Sequence, residues 1–438
     1  MNKVLISGTS SGVGKTTVTT AILSLLDNPA PFKCGPDYID PMFHKYITNT
    51  DSINLDLFML DENTLKYLFK RRSENKNISV LEGMMGLYDG LNHELDNYSA
   101  AHISRVLKVP VILVVDGTKI STSIAAVVKG FQEFDRRVEI KGVIINKVRE
   151  GLYHYLKEAI EKHTNVKCLG YLPDDESIAI SERHLGLMQV SEINDLNNKL
   201  IMLKEIAKET IDIKSIKEIA VSDEIYCENI DDEYINRFKG LKVGVAKDLA
   251  FSFYYQDNIE LMKKSGMILT YFSPMNDSRL PDVDCLYIGG GYPEVYASEL
   301  SNNRSMIDDI RKFSSDGKLI YAECGGMMYL SRSIINDDSK HEMCGIFDHS
   351  VKMQESLNIK RFGYIKCQNN SHTVNAHEFH YSDIVDLTLN EEYYFNILKG
   401  TRNWKCGFRK HNTIAGYPHI HFYSNLEFFN TLFKEGKI

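Results

Sequence analysis

Short apolar runs that end in small or polar residues recur along the chain. Val4–Ile6, Ile78–Leu81, Val109–Asp116 (VPVILVVD) and Lys141–Lys147 (KGVIINK) are nearly continuous in apolar side chains. Such runs suit strands of a parallel sheet covered on both faces. Cys168–Pro173 reads as another short strand and turn, and the apolar stretch after the first run reads as a helix through Leu26. This alternation predicts a doubly wound α/β domain. Residues 192–218, rich in Lys, Glu, Ile and Leu, read as one helix. Residues 222–236 (SDEIYCENIDDEYIN) are acidic and aperiodic, which reads as a solvated connector. That places the boundary between two domains, 1–236 and 237–438. The pattern then restarts with a strand at Leu241–Ala246, a helix ending at Ser265, and strands at Met267–Tyr271, Cys285–Ile288 and Leu319–Ala322.

Composition narrows the class. The 438 residues are 43% hydrophobic and 25% charged, as in ordinary globular proteins with two or three domains. A net charge of −8 argues against a general nucleic-acid or anionic-membrane surface, while leaving room for a local basic pocket. The eight cysteines are scattered without a CxxC pair, which argues against a zinc ribbon or disulfide framework and for a reducing compartment. The N-terminus enters a strand without a basic-then-apolar leader, and no apolar run approaches 18 residues, so a cytoplasmic protein is expected.

The first chemical feature follows the first strand: Gly8-Thr-Ser-Ser-Gly12-Val-Gly14-Lys15-Thr16-Thr17. Strand, glycine loop, Lys-Thr and helix form a phosphate cradle. Loop amides and the helix N-terminus hold phosphate oxygens, Lys15 neutralises the outer phosphates, and the Thr16 hydroxyl can ligate Mg²⁺. Counted back from Gly14, the usual first glycine position is Thr9, so this is a variant loop with Gly8 one residue earlier. Downstream, Lys33, Asp37 and Asp40 lie in FKCGPDYIDPMFH. The acids suit an ordinary capped turn, or a metal contact or acceptor-orienting role with Lys33 on phosphoryl oxygens. Glu82 ends the Ile78–Leu81 run between glycines that let backbone approach a ligand, and is expected on an edge strand as a second Mg²⁺ contact. Asn146 ends the KGVIINK run, where it reads the adenine edge or caps a helix.

The second feature is LIYAECGGMMYL, Leu319–Leu330. A buried strand, a sharp turn at Cys324 and a helix opening on two glycines have the form of a nucleophile elbow, with Ala322 and Gly326 as the small positions. The helix N-terminus is expected to favour the thiolate. Gly289-Gly290-Gly291, after the Cys285–Ile288 run, can aim backbone amides at one point as an oxyanion hole. A nucleophilic cysteine needs a base. His419 and His421 in GYPHIHF alternate on an extended segment, so only one of them can face Cys324. AHEFHYS, at 376–382, has HExH rather than HExxH and is rejected as a zinc site.

GTSSGVGKTT, FKCGPDYIDPMFH, VLEGMMGLYDG, RHLGL, YIGGGYPE, YAECGGMMYL, HEFHYS and GYPHIHF, in this order over nearly the whole chain, resemble the cobyrinate a,c-diamide synthase family. The resemblance implies a dethiobiotin-synthetase-like P-loop domain followed by a class I glutamine amidotransferase-like domain, each a doubly wound α/β fold. It implies ATP and Mg²⁺ as cofactors, and the corrinoid cobyrinate and L-glutamine as substrates. It implies Cys324 and His419 as the glutaminase pair, with Gly290 and Gly291 beside the substrate. Gly12, Gly14, Lys15, Thr16, Thr17, Lys33 and Asn146 would bind nucleotide. Thr16, Glu82 and one of Asp37 and Asp40 would hold the metal, and Asp37, Tyr38, Asp40 and Asp89 would line the acceptor region. The usual amidotransferase triad has Glu two residues after the histidine; here that position is His421. The family chemistry is phosphorylation of the c and then the a carboxylate, with ammonia displacing phosphate. The same chemistry on hydrogenobyrinate or nickel-sirohydrochlorin is an alternative, as is a partition-type ATPase with a non-catalytic amidase-like module. A homodimer is compatible with this reading, which calls for neither nucleic acid nor membrane.

Overall fold

The computed structural model describes residues 2–178, 195–221, 223–337, 339–356, 361–387, 392–434 and 436, with backbone pairing also at 182–183 and 186–187. His184 and Leu185 of the RHLGL motif lie outside the described residues, as do the first residues of the expected 192–218 helix. The chain forms two compact units, Met1–Asn229 and Ile230–Ile438.

The first unit contains β1 (Lys3–Gly8), α1 (Lys15–Ser24), β2 (Pro29–Cys34), α2 (Asp40–Thr48), β3 (Ile53–Leu55), α3 (Glu62–Ser73), β4 (Ile78–Gly86), α4 (Ala100–Leu107), β5 (Val111–Asp116), α5 (Ser123–Phe134), β6 (Ile140–Asn146), α6 (Glu150–His163) and β7 (Lys167–Tyr171). A two-residue pair, β8 (Glu182–Arg183) and β9 (Gly186–Leu187), precedes α7 (Leu196–Thr210) and α8 (Ile213–Ile219). The seven main strands form one parallel sheet in the order β3-β2-β4-β1-β5-β6-β7. Strand order reverses around β1, so the loops after β1, β2 and β4 open at the same carboxyl edge, where such sheets hold ligands. Val4, Leu5, Ile6, Val80, Leu81, Ile112, Leu113 and Val114 are fully buried, as two-sided cover requires.

Three details differ from the sequence reading. β4 is not an edge strand; it pairs with both β1 and β2, which leaves Glu82 wholly buried. Residues 196–219 form two helices, because Ile211 bridges to Gly170 and Asp212 starts a new helix by accepting the Ser215 N–H at 3.0 Å. The acidic connector is only partly solvated: Asp231 and Tyr234 are buried, Asp231 bonding to Lys264 and to the Tyr423 hydroxyl inside the second unit.

The second unit begins with β10 (Lys242–Ala246), α9 (Gln256–Lys264), β11 (Ile268–Phe272), β12 (Cys285–Ile288), α10 (Ala297–Asn302), α11 (Arg304–Ser315), β13 (Leu319–Glu323) and α12 (Gly325–Leu330). It continues with β14 (Ser333–Asn336), β15 (Ser339–Glu342), β16 (Ser350–Met353), β17 (Gly363–Gln368), β18 (Thr373–Glu378), β19 (Ser382–Val385), β20 (Glu392–Lys399), β21 (Arg402–Lys410), β22 (Thr413–Gly416), β23 (His419–Ile420) and α13 (Leu426–Lys434). A ten-stranded mixed sheet runs β11-β10-β12-β13-β22-β21-β20-β17-β18-β23, and β15-β14-β16-β19 form a smaller sheet. β11, β10, β12, β13 and β22 are parallel, so the turns after β12 and β13 emerge side by side. All eight cysteines are free. Among the described residues no helix is long and apolar enough to cross a membrane.

Candidate active sites

In the first unit the loop from Gly8 to Gly14 ends on Gly14 at φ 87°, the N-cap of α1. A Cβ there would sit 2.0 Å from Asn146 Nδ2, so the position requires glycine on two counts. Gly12 is also left-handed, at φ 76°. Asn146 donates from Nδ2 to the Val13 carbonyl at 2.8 Å and latches the loop to β6. It does not cap a helix: the N-cap of α6 is Arg149, without a side-chain bond. Lys147 adds a second latch, donating to the Gly12 carbonyl at 3.3 Å and to Asp116 at 3.2 Å. Its place beside Asn146 in KGVIINK gave no signal of that role. Lys15 reaches back to the Ser10 carbonyl at 3.0 Å, and burial and the nearby Lys33 charge pull its ammonium down from its ordinary value. Thr17 lies half-buried in the first turn of α1.

Beneath the loop is a buried polar cluster. Glu82 accepts from the Thr16 hydroxyl at 2.6 Å and from Lys33 Nζ at 3.0 Å, both on Oε1, and contacts His44 Nε2 at 2.6 Å through Oε2. Burial works against its ionisation, but Lys33, His44 and Thr16 more than offset this and hold the carboxyl well below its ordinary range. With Glu82 ionised, His44 Nε2 donates to it, and Nδ1 lies 3.1 Å from the Ser52 hydroxyl. Lys33 also bonds Asp40 and lies 3.7 Å from Asp37. Burial opposes its charge, and the three carboxylates outweigh burial and push its ammonium well up. Burial and Asp37 push Asp40 up, with Lys33 pulling against them. The two acids of the turn divide their work: Asp37 caps the N–H groups of Ile39 and Asp40 at 2.8 and 3.1 Å, while Asp40 faces Lys33. Tyr38, between them, is buried. Asp89 is exposed, accepts the Gly86 N–H at 2.8 Å, and is near enough to raise the Lys15 ammonium.

Glu82, Asp40 and Asp37 surround Lys33, and the Thr16 and Glu82 oxygens are hard donors. This chemistry fits Mg²⁺. Among the described residues no three His, Cys, Asp or Glu side chains are already grouped as a metal site. His44, quoted in the sequence motif without a role, is the member of this cluster that spacing alone did not reveal.

In the second unit Cys324 stands between β13 and α12 at φ 47°, ψ −105°, a strained turn for a residue with a side chain. Its N–H donates to the Gly416 carbonyl at 2.6 Å, fixing the elbow to β22. A Cβ on Gly326 would lie 2.3 Å from the Ile288 carbonyl oxygen, so the elbow packs directly on β12. One on Gly325 would meet Pro293 at 2.9 Å and the Gly291 nitrogen at 3.1 Å. The 289–293 loop therefore lies over the cysteine turn. Gly290 does not supply an oxyanion donor, because its N–H is bonded to the Phe253 carbonyl at 3.3 Å. Its lack of a side chain makes room for His419, whose Cε1 is 2.5 Å from where a Cβ would stand. The Gly325 N–H bonds the Cys324 sulfur, and the Gly291 nitrogen lies 3.1 Å from where a Gly325 Cβ would stand. The expected thiolate is not the resting form: burial and the Glu294 carboxylate push the thiol well up, against the pull of the Gly325 N–H.

His419 and His421 do face opposite ways. His419 stacks on His377 with ring centroids 4.8 Å apart, and burial and His380 push its imidazolium down to about 3, so the ring is neutral. His421 turns to Asp257, 3.7 Å away, and to the ring of Tyr255 at 4.8 Å. Of the residues nearby, Glu294 ended the GGGYPE motif without an assigned role, and its effect on Cys324 comes only from the fold.

A phosphate loop over a buried Lys–carboxylate cluster, and a cysteine elbow with a neutral histidine, define a glutamine-dependent ligase of the P-loop type. Residues 4–187 match the family described as CobQ/CobB/MinD/ParA nucleotide binding domain, and residues 242–426 match the CobB/CobQ-like glutamine amidotransferase domain. The chain is 46% identical to cobyrinate a,c-diamide synthase of Fusobacterium nucleatum subsp. nucleatum, over 99% of this chain and 100% of that one. It is 42% identical to the protein of that name from Listeria innocua serovar 6a over 100% of both chains, and 42% identical to that from Clostridium tetani over 99% and 100%. The chain belongs to the cobyrinate a,c-diamide synthase family.

Proposed function

We propose that this protein uses ATP and glutamine to convert the c and then the a carboxylate of cobyrinate to amides, a step of cobalamin biosynthesis. The observation that carries this reading is the presence in one chain of an ordered phosphate loop and a strained cysteine elbow. In the second unit the Cys324 thiol gives its proton to neutral His419, and the sulfur attacks the side-chain amide carbon of glutamine. The Gly291 and Gly325 amides face the developing oxyanion. His419 then returns the proton to the amide nitrogen, and collapse expels ammonia and leaves a thioester, which water hydrolyses to glutamate.

In the first unit the γ-phosphoryl group of ATP passes to a corrinoid carboxylate, and ammonia then displaces phosphate. A carboxylate alone is a poor acceptor for ammonia; phosphorylation supplies the leaving group. Lys15 and Lys33 would stabilise the phosphoryl oxygens. Thr16, Glu82 and Asp40 would hold Mg²⁺, which neutralises charge on the phosphates when bound. Met85, exposed at φ 54° at the end of β4, would offer an apolar contact to the macrocycle.

The test is a mass-resolved assay with Mg·ATP and glutamine, offering cobyrinate, hydrogenobyrinate and nickel-sirohydrochlorin in parallel. Two successive acid-to-amide mass changes on cobyrinate, with matching ADP and glutamate, are expected. The Cys324→Ala variant should lose glutamine-dependent amidation and keep it with ammonium chloride. Amidation of another tetrapyrrole alone would overturn the substrate assignment, and amidation of none would overturn the reading.

A further inference from the structure

The strand that carries His419 lies at the end of the ten-stranded sheet, and only one of its sides is paired. β18 holds that side, through Ala376 opposite Ile420 and His377 opposite His419. On the other side the backbone of Ile420 is met by two side chains. Its N–H donates to Glu323 Oε1 at 3.1 Å, and its carbonyl accepts from Asn258 Nδ2 at 2.8 Å. Asn258 Oδ1 also accepts the Phe422 N–H at 2.7 Å. Glu323 is the last residue of β13, next to Cys324. Its Oε1 also accepts from the Tyr321 hydroxyl at 2.9 Å, and its Oε2 accepts from Tyr287 at 3.1 Å. The carboxylate is 1% exposed and receives three donors.

We propose that Glu323 is a positioning residue: one carboxylate, rigidly attached to the cysteine elbow, fixes the backbone between His419 and His421 and so sets the base against the nucleophile. The inference rests on the reading of Cys324 and His419 as the glutaminase pair. The supporting structure is economical. The two tyrosines come from adjacent parallel strands, β12 and β13, and orient the carboxylate, which in turn orients a two-residue strand too short to hold its own register. Asn258 completes the clamp from α9. The Ile420 N–H can only donate, and an ionised carboxylate is the form that accepts from it and from both tyrosine hydroxyls at once without any of them reversing.

That requirement gives the proposal a signature. Burial pushes the Glu323 carboxyl up to about 7, with Ile420, Tyr321 and Tyr287 pulling it down. The titratable groups facing it are Tyr287 on β12, Tyr321 on β13, Tyr254 before α9 and Cys367 on β17, with Cys324 adjacent in sequence. Burial moves all of these upward, away from neutrality. As pH falls through about 7, Glu323 takes a proton, its hydrogen bonds to Tyr287, Tyr321 and Ile420 must rearrange, and on this proposal the hold on the histidine strand weakens.

The experiment measures glutamine hydrolysis by the full chain across pH 5.5–9. Glu323→Gln should lower kcat by roughly tenfold to a hundredfold, as small misplacements of catalytic groups do. KM for glutamine should change little, and the acidic limb near neutrality should disappear. Tyr287→Phe removes one donor to the ionised form, so its acidic limb should move to higher pH while the fold is retained. If Glu323→Gln does not fold, Tyr287→Phe decides alone. Wild-type kcat in Glu323→Gln, or an unmoved limb in Tyr287→Phe, overturns the proposal. Cys324→Ala is assayed beside them. Residual glutaminase activity there would overturn the underlying site reading, whereas its loss together with unaffected Glu323 and Tyr287 variants overturns this inference alone.

Discussion

Replacing Lys33 by methionine tests the charge balance of the phosphate site. Lys33 Nζ lies 3.0 Å from Glu82 and 3.7 Å from Asp37 and bonds Asp40, and the residue is 2% exposed. Methionine keeps similar bulk and removes the charge. Unit charges 4 Å apart interact by about 4 kcal/mol at an effective dielectric of about 20. Removing one partner of a buried pair costs about 3–5 kcal/mol. The lower end applies here, because the orphaned carboxyls can take up protons. The sign follows from the shifts. In the wild type Glu82 is held well below its ordinary range, so its contribution is present above the ordinary carboxylate pKa and is lost only in strong acid. Without Lys33, burial dominates and the carboxyls rise, so folding costs most where they would ionise. The variant should therefore lose about 3 kcal/mol at pH 8 and less at pH 5. Hydrogen exchange of peptides covering residues 33–55 and 78–86 reads this directly, with peptides of the second unit as an internal reference. ATP-dependent amidation with ammonium chloride should fall by about 10²–10³. Unchanged protection at pH 8, or turnover within about threefold of wild type, would refute the reasoning.

Three further outcomes follow from the packing. Gly14→Ala places a methyl 2.0 Å from the Asn146 amide at φ 87°; the left-handed backbone alone costs about 1–2 kcal/mol, so nucleotide affinity should fall at least about tenfold by calorimetry. Gly326→Ala drives a methyl against the Ile288 carbonyl at 2.3 Å, and should destabilise the chain by about 1–3 kcal/mol in denaturant melts while slowing glutaminase and leaving nucleotide binding unchanged. His44→Gln keeps a donor for Glu82 but loses the relay to Ser52, so the magnesium concentration for half-maximal ATP hydrolysis should rise about tenfold or more.

Much of the architecture was legible along the chain because its signals are local. Continuous apolar runs mark two-sided strands, and Gly14 is needed for the φ it adopts. The ordered motifs marked both chemistries, since a phosphate loop and a cysteine elbow are each built from consecutive residues. Cys324 at φ 47° and the 2.3 Å approach behind Gly326 are what the ECGG spacing implies. What the sequence could not determine depends on which strands become neighbours. Glu82 looked like an edge acid and is enclosed, because β1 and β2 close on both sides of β4. The Gly290 amide looked free and is taken by Phe253, residues distant in the chain. The thiol looked activated by a helix end, yet burial and Glu294 outweigh that effect. His44, Glu294 and Glu323 gave no spacing signal, because each acts through a partner that only the sheet brings near. Local sequence decides backbone shape within a turn; burial, charge pairing and cross-strand contact exist only once the chain has closed on itself.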